Sequence, residues 1–195
     1  MDQSGQHTFF ESEQVLLVLA KHGETQGKLY LYTLVDGDWQ TDLADVPVWL
    51  GRSGLTLSNL KKEGDGFTPQ GYFPIKRILG KGKKSIRNLE YTQIRRYHFW
   101  SDDPKSKHYN QLLTKKEKGA IPLWESEIYD LFVVIEHNTN PSLPGQGSMI
   151  FLHPWMEAKP TSGCVGINRE GLDKIVETLD GYKSPFLIIS LLDEN

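Results

Sequence analysis

Short runs of β-forming residues, separated by turn residues, dominate the chain and constrain its fold more than any other feature. The first fifty residues contain three such runs, QVLLVLA (14–20), KLYLYTLV (28–35) and VPVWLG (46–51), with KHGETQG and DGD as turns between them. Pro47 predicts that the third run lies at a sheet edge or at a strand start. Strands spaced this closely favour antiparallel β structure over alternating βαβ units.

The rest of the chain predicts a mainly β fold with one or two short helices. Further strands are predicted for YFPIKRIL, IYDLFVVIEHN (128–138), SMIFLH (148–153) and FLIISLL (186–192). Asn168 is a predicted helix N-cap, and the stripe of a surface helix follows it at Leu172, Ile175, Val176 and Leu179. A chain of 195 residues holds one substantial core, so we expect a single domain over 1–195 with its core at about 14–192.

Residues 76–118, called here the basic insertion, carry most of the positive charge. They hold 13 Lys and Arg against 4 Asp and Glu, although the whole chain has a net charge of −3. We expect an irregular segment that is either a solvated surface or a surface that attracts an anionic polymer or a carboxylate-rich substrate. No nucleic-acid-binding motif accompanies the charge, so no nucleic-acid partner is predicted.

Other bulk features limit the class of protein. One cysteine excludes an internal disulfide. No run approaches the roughly 20 apolar residues of a membrane span, so none is predicted. The first 13 residues, MDQSGQHTFFESE, are polar and acidic, unlike a signal peptide. The chain is therefore expected to be cytoplasmic, or to follow an export signal that has been removed.

The one cysteine, Cys164, lies in the segment IFLHPWMEAKPTSGCVGIN (150–168). Three interpretations are open: a small buried hydrophobic residue, a nucleophile or a metal ligand. Ser162 and Gly163 precede it and Gly166 follows, so few side chains obstruct the backbone here. Such a segment can bring backbone N–H groups close to a reacting carbonyl, as an oxyanion hole does.

A thiol with the usual pKa near 8.5 needs a base, and His153 is the nearest candidate. It ends a strand-like run before Pro154, so it can meet a cysteine on the returning loop. The pair favours nucleophilic catalysis over a structural role for either residue. A metal site is disfavoured because there is one cysteine, no HExxH motif and no third ligand for His137 and His153. No Gly-x-Ser-x-Gly motif of a serine hydrolase occurs.

Five segments occur in a recognisable order over about residues 49–168: GRSGL, EGDGFTPQGYFPI, WSDDPKSKHYN, GSMIFLH and PTSGCVGI. With them the chain resembles the L,D-transpeptidase catalytic domains of the YkuD type, most closely the branch with a shortened active-site motif. The resemblance implies a β-sandwich-like fold and a cysteine acyltransferase that acts on peptidoglycan stem peptides. It implies no metal, nucleotide or organic cofactor.

The resemblance also assigns roles to residues. Cys164 matches the nucleophile and His153 the general base, while Gly163 and Cys164 offer N–H groups to the oxyanion. Either Ser162 or a backbone carbonyl would orient the histidine, and EGDGFTPQG would form a glycine-rich loop that supports a nearby strand. Many members have His-Gly-Cys, an apolar residue and then Arg, whereas here Ser162 precedes Gly163 and Gly166 occupies the arginine position. The basic insertion is a candidate replacement for that arginine.

The expected reaction is L,D-transpeptidation through a Cys164 thioester. Two alternatives are open: an L,D-carboxypeptidase or related peptidoglycan hydrolase that uses the same pair, and a catalytically inactive cell-wall-binding module. Because peptidoglycan lies outside the cytoplasmic membrane, the resemblance implies a periplasmic or cell-wall location after loss of an export signal. The oligomeric state is not predicted.

Overall fold

The computed structural model describes residues 11–192. This part of the chain contains fourteen strands and one α-helix, α1 (Arg169–Thr178). The strands are β1 (Gln14–Ala20), β2 (Gln26–Val35), β3 (Asp38–Trp49), β4 (Leu55–Leu57), β5 (Thr68–Pro74), β6 (Arg77–Gly80), β7 (Glu90–Gln93), β8 (Phe99–Trp100), β9 (Leu112–Leu113), β10 (Ile121–Pro122), β11 (Leu131–Val134), β12 (Phe151–Pro154), β13 (Val165–Ile167) and β14 (Phe186–Leu191). The predicted mainly β fold is confirmed.

Eleven of these strands form one large sheet in the order β4-β5-β14-β1-β2-β3-β13-β12-β11-β6-β7. The first three strands form an antiparallel meander, and β14 returns to pair with β1 in parallel. Buried side chains from strands all along the sheet meet in one cluster, the first core, whose members include Leu16, Leu29, Val48, Phe73, Ile78, Leu152 and Leu187. The sheet therefore curls around this core in a sandwich-like arrangement.

A second core covers the opposite face of the sheet at one end. In β11, Leu131 and Val133 belong to the first core, whereas Phe132 and Val134 belong to the second. This alternation follows from the two-residue period of a strand. Phe151 of β12 also packs in the second core, so this end of the sheet is buried on both faces.

The predicted helix is confirmed as α1. The Oδ1 atom of Asn168 accepts a hydrogen bond of 2.7 Å from the N–H of Gly171, as an N-cap does. Leu172, Ile175 and Val176 are buried in the first core. The helix packs against β3 and β12. It therefore supports β12, the strand that carries His153, from the face of the first core.

Several strand predictions need correction. The runs 128–138 and 148–153 form strand only in β11 and β12, and a short 3-10 helix (Glu127–Tyr129) precedes β11. YFPIKRIL is not one strand, because the chain leaves β5 at Pro74 and enters β6 at Arg77. The strand that contains Pro47 is not an edge strand, since β3 lies between β2 and β13. However, β13 pairs only with Val48 and Trp49. Pro47 itself has no partner in β13. Its lack of an N–H group therefore breaks no hydrogen bond on that side of β3, and the proline is tolerated.

The basic insertion is more regular than expected. Its first strands, β6 and β7, extend the large sheet, and β8 and β9 form a small three-stranded sheet with β10. Trp100 of β8 and the nearby Ile94 are fully buried in the second core. The apolar residues scattered through 81–127 thus cover one face of the large sheet. A search for the regular hydrophobic spacing of helices or strands does not detect this role.

Some expectations concern residues outside the described part of the chain. Residues 1–10, which make up most of the polar N-terminal segment, and residues 193–195 lie outside the described part. The single domain over 1–195 therefore stays a prediction. Within residues 11–192, no helix combines the length and apolar character that crossing a membrane requires.

Candidate active site

Two neighbouring parallel strands bring Cys164 and His153 to the same place. His153 of β12 pairs with Gly166 of β13, and Cys164 precedes Gly166 by two residues. Positions two apart along an extended chain lie on one face. Both side chains therefore lie on the face of the sheet that carries the second core.

A cleft of about 440 Å³ opens at this point. It brings together all four residues singled out in the sequence, Cys164, His153, Gly163 and Ser162. Its other walls come from distant parts of the chain and include Arg52, Lys61, Glu63, Asp102, Ile121, Ile128, Tyr129, Met149, Trp155 and Thr161. The cleft is thus formed by loops that border both cores and surround one thiol.

The Cys164 thiol is half-buried and protonated at neutral pH. Its Sγ atom donates a hydrogen bond of 3.2 Å to the carbonyl of Met149. Burial raises the pKa of Cys164 to about 11, although the N–H of Phe151 and the charge of Lys61 act in the opposite direction. Attack by this sulfur therefore requires a base that removes its proton.

His153 is suited to act as that base. It is 2% exposed, and its Nδ1 atom lies 2.8 Å from the carbonyl oxygen of Pro154. A carbonyl only accepts, so Nδ1 carries the proton and Nε2 keeps a free lone pair. Burial lowers the pKa of His153, which keeps the imidazole neutral at pH 7.

Of the two groups expected to orient the histidine, the backbone carbonyl of Pro154 makes the contact. Ser162 is exposed, and its hydroxyl has no hydrogen-bond partner within residues 11–192. The Ser162 side chain therefore lines the cleft without fixing His153.

Gly163 is required by its backbone conformation and by its neighbour. Its φ is +141°, and a Cβ atom there would lie 2.9 Å from the carbonyl oxygen of Phe67. Phe67 follows the EGDG turn, so the glycine-rich loop packs directly against the segment before the cysteine. The N–H of Gly163 already donates a 3.1 Å hydrogen bond to Oγ1 of Thr161.

Thr161 is a site residue that sequence reasoning missed. Its hydroxyl donates a 2.7 Å hydrogen bond to the carbonyl of Cys164, and Thr68 reaches the same carbonyl at 3.4 Å. Thr161 is 4% exposed. In the sequence it was noted only as the residue before Ser162 in the segment PTSGCVGI. Its partners become visible only once the loop is folded.

Trp155 explains the glycine at the position where many YkuD-type domains have arginine. A Cβ atom on Gly166 would lie 2.7 Å from Cβ of Trp155. The same indole packs edge-on against the His153 ring, with 5.4 Å between the ring centres. Trp155 therefore occupies the space above Gly166, and any side chain at 166 would displace it.

The positive charge in the cleft does not come from the basic insertion. Among the described residues that line it, the cations are Arg52 and Lys61, and none is a Lys or Arg of 76–118. Lys61 is 4% exposed and pairs with Asp65 at 2.6 Å. Arg52 donates to the carbonyl of Gly64 and has no carboxylate partner within residues 11–192. The replacement of the missing arginine by the basic insertion therefore stays a prediction, and it has no support from the lining of this cleft.

The cleft shows no arrangement of metal ligands. Across residues 11–192, no three His, Cys, Asp or Glu side chains are grouped closely enough to hold a metal ion. The chemistry derived below uses the thiol, the imidazole and the backbone.

The pKa of Cys164 gives a first testable prediction. Because Cys164 is the only cysteine of the chain, iodoacetamide alkylation followed by mass spectrometry reports this thiol alone. We expect the alkylation rate to rise about tenfold per pH unit from pH 7 to pH 10, since the thiolate fraction grows until the pH reaches the pKa of about 11. A rate that is already constant at pH 7–8 would instead indicate a preformed thiolate–imidazolium pair.

This chain is similar to a known protein family and to a solved structure. The family model for the YkuD L,D-transpeptidase catalytic domain matches residues 21–186. No curated protein matches the chain. A solved structure, the helical cell shape determining protein Pgp2 from Campylobacter jejuni, is similar with a TM-score of 0.41 and 17% sequence identity, over 93% of this chain and 49% of that one. The chain thus spans about half the length of that protein.

Proposed function

The chain belongs to the YkuD family of L,D-transpeptidase catalytic domains, and we propose that it is a cysteine acyltransferase acting on peptidoglycan stem peptides through a Cys164 thioester. The observation that carries the proposal is the shared cleft of Cys164 and His153. The thiol is protonated, and the free Nε2 of a neutral imidazole lies on the same face of the sheet. A nucleophile and its base are the minimum that acyl transfer requires.

The first half-reaction forms the thioester. Nε2 of His153 takes the thiol proton as Sγ attacks the carbonyl carbon of the diamino-acid residue, in the amide bond that joins this residue to the terminal D-alanine of a tetrapeptide stem. The carbonyl oxygen becomes an oxyanion in the tetrahedral intermediate. When the intermediate collapses, the C–N bond breaks and His153 returns the proton to the leaving amine. D-Alanine departs, and the acyl group stays on Cys164.

Backbone donors stabilise the oxyanion. The N–H groups of Gly163 and Cys164 are the proposed donors, and the hydroxyl of Thr161 fixes both residues. Because Gly163 N–H already donates to that hydroxyl, it serves the oxyanion only by sharing or exchanging this bond. The N–H of Cys164 is therefore the principal donor of the proposed pair.

The second half-reaction transfers the acyl group to an amine. His153 accepts a proton from the incoming amine, which attacks the thioester carbonyl and releases the Cys164 thiol. A second groove of about 390 Å³ shares Ile128 and Trp155 with the cleft. Glu127, Asp130, Glu157 and Arg169 also line it, with Asp130 paired to Lys81 and Glu157 paired to Lys159. It offers space beside the thioester for an amine-bearing peptide, with the carboxylate of Glu127 near the incoming amine, which supports cross-linking over hydrolysis.

The proposed substrate sets the location. Peptidoglycan stem peptides lie outside the cytoplasmic membrane, so we infer a periplasmic or cell-wall setting for the mature protein.

Mass spectrometry of the products tests the proposed function. The protein is incubated with disaccharide-tetrapeptide fragments, with Cys164→Ala as the control. L,D-transpeptidation predicts cross-linked dimers and free D-alanine from the wild type and neither from the variant. Trimmed tripeptides without dimers would show an L,D-carboxypeptidase. Binding without any product would show a cell-wall-binding module and exclude acyl transfer.

Arg52 is expected to bind a substrate carboxylate, because it is the cleft cation without a carboxylate partner among the described residues. We expect Arg52→Gln to raise the KM for the tetrapeptide about tenfold, since a hydrogen bond to a charged group contributes about 1.5 kcal/mol. Arg87 is the control: it is exposed, donates through Nη2 to the backbone carbonyls of Glu177 and Thr178, and does not line the cleft. Equal KM values for Arg52→Gln and Arg87→Gln would contradict this role.

A further inference from the structure

We propose that Asn110, in the basic insertion, is a positioning residue for the nucleophile and acts through Met149. This inference rests on the proposed function, because it concerns the same thiol. It assigns a role to the small sheet, which otherwise only covers the second core.

Asn110 is a buried amide with every hydrogen-bonding group engaged. Its Oδ1 atom accepts from Nε1 of Trp100 at 3.1 Å and from the N–H of Met149 at 3.0 Å. Its Nδ2 atom donates to the carbonyls of His137 at 3.2 Å and Asn138 at 2.7 Å. Asn110 is 3% exposed, so these bonds are shielded from water. One side chain thus joins three separate segments of the chain.

Met149 belongs to the segment that contacts the sulfur of Cys164. Its carbonyl accepts the hydrogen bond from Cys164 Sγ, and its φ is +53°. A non-glycine residue in the left-handed region is strained and persists only where its surroundings hold it. The bond from Met149 N–H to Asn110 is one such restraint. The direction of the Met149 carbonyl, and with it the orientation of the thiol, therefore depends on Asn110.

A second contact ties the same two segments together. Tyr109 and Ser148, the residues preceding Asn110 and Met149, both donate their hydroxyls to Oε2 of Glu63. Residues 109–110 are thus fixed to residues 148–149 at two points, once directly and once through Glu63. A two-point attachment restrains rotation as well as translation of the segment before β12.

The chemical consequence concerns proton transfer from Sγ to Nε2 of His153. Such a transfer requires a defined thiol orientation, and small displacements of reacting groups cost large factors in rate. Without Asn110, Met149 relaxes toward a negative φ, and its carbonyl turns away from the sulfur. The substrate-binding walls remain, so the loss is expected in kcat and not in KM.

The test compares Asn110→Gly with Trp100→Phe. Glycine accepts the φ of +56° found at Asn110, so the variant removes the amide without adding backbone strain. Trp100→Phe removes the other donor to the same Oδ1 atom but leaves the bond to Met149, and thus controls for general loosening of the second core. Tyr109→Phe, which removes only a hydroxyl, is the second variant if Asn110→Gly does not fold.

The readouts are kcat and KM with tetrapeptide fragments and the pH profile of Cys164 alkylation. We expect Asn110→Gly to lower kcat at least tenfold with KM within twofold, and Tyr109→Phe to lower kcat about threefold. We also expect the alkylation profile of Asn110→Gly to shift to lower pH, because a released thiol no longer donates to Met149. Trp100→Phe should leave the profile in place and kcat within twofold of the wild type.

The proposal is overturned if Asn110→Gly folds and keeps the wild-type kcat and alkylation profile, or if Trp100→Phe matches its losses. If Asn110→Gly does not fold, an unchanged kcat in Tyr109→Phe overturns it. The alkylation profile needs no substrate. If the wild type turns over no stem peptide, the proposed function fails, while the profile shift still decides the role of Asn110.

Discussion

Replacing His153 with Gln is expected to slow acyl transfer by about a hundredfold to ten-thousandfold, the range that one general base contributes. The glutamine side chain is similar in length and polar, but it has no group that accepts the thiol proton. Because Cys164 is protonated at neutral pH, the reaction has no alternative source of thiolate. We expect KM to change little, and the rate of D-alanine release from the tetrapeptide is the measurement.

His98 provides the matched control for this substitution. It is also a buried histidine with a lowered pKa, but it lies outside the cleft and accepts a hydrogen bond from the N–H of Arg95. His98→Gln should retain activity wherever it folds. A wild-type rate in His153→Gln would show that another group removes the proton and would end the proposed mechanism.

The same account predicts the pH dependence of the reaction. The neutral imidazole is the active form, and burial lowers the pKa of His153 below its usual 6.5. Activity should therefore persist as the pH falls through 6.5 and be lost only at lower pH, when Nε2 becomes protonated. This direction follows from desolvation, which disfavours the charged imidazolium.

Replacing Gly163 with Ala is expected to reduce activity about a hundredfold, the cost of displacing a reacting group by roughly 1 Å. The new Cβ would lie 2.9 Å from the Phe67 carbonyl, and a backbone atom cannot move aside cheaply. The positive φ adds strain of about 1–3 kcal/mol. Thermal unfolding measures the loss of stability, and D-alanine release measures the loss of activity.

Gly23→Ala is the control that separates the effect of the steric clash from the effect of backbone strain. Its φ is +75°, but a Cβ atom there has nothing within 4 Å. Gly23→Ala should therefore lose a similar amount of stability from strain and keep full activity. If Gly163→Ala were as active as Gly23→Ala, close packing against Phe67 would not position the nucleophile.

Local patterns in the sequence were sufficient for the elements that depend on local physics. The run 14–20, the N-cap Asn168 and the stripe that begins at Leu172 all lie where the sequence placed them, as β1 and α1. Their side-chain periods and capping groups act within a few residues. The same holds for the terminal run, which forms β14.

Features that depend on distant partners were not predictable in this way. Trp100 is buried because β11 and β12 present Phe132 and Phe151 to it, not because of its own neighbours in sequence. Asn110 and Thr161 are ordinary polar residues until folding brings carbonyls and N–H groups from other segments to them. Such contacts leave no spacing signal in a single sequence.

In the candidate active site, too, some features were indicated by the local sequence and others depend on the folded chain. The lone cysteine between glycines and the strand-end histidine indicated a pair, and the structure places both in one cleft. The group that orients His153, the carbonyl of Pro154, is a backbone atom that no residue type identifies. Arg52, the cleft cation without a carboxylate partner among the described residues, lies in GRSGL, a segment noted only for its part in the family resemblance.

Intact-protein mass spectrometry during the reaction tests the central claim most directly. The account predicts that a short incubation of the wild type with tetrapeptide fragments adds the mass of the fragment less D-alanine, carried on Cys164 as a hydroxylamine-sensitive thioester. Cys164→Ala should acquire no such mass. An unmodified wild type that still releases D-alanine, or an adduct on any other residue, would contradict the account.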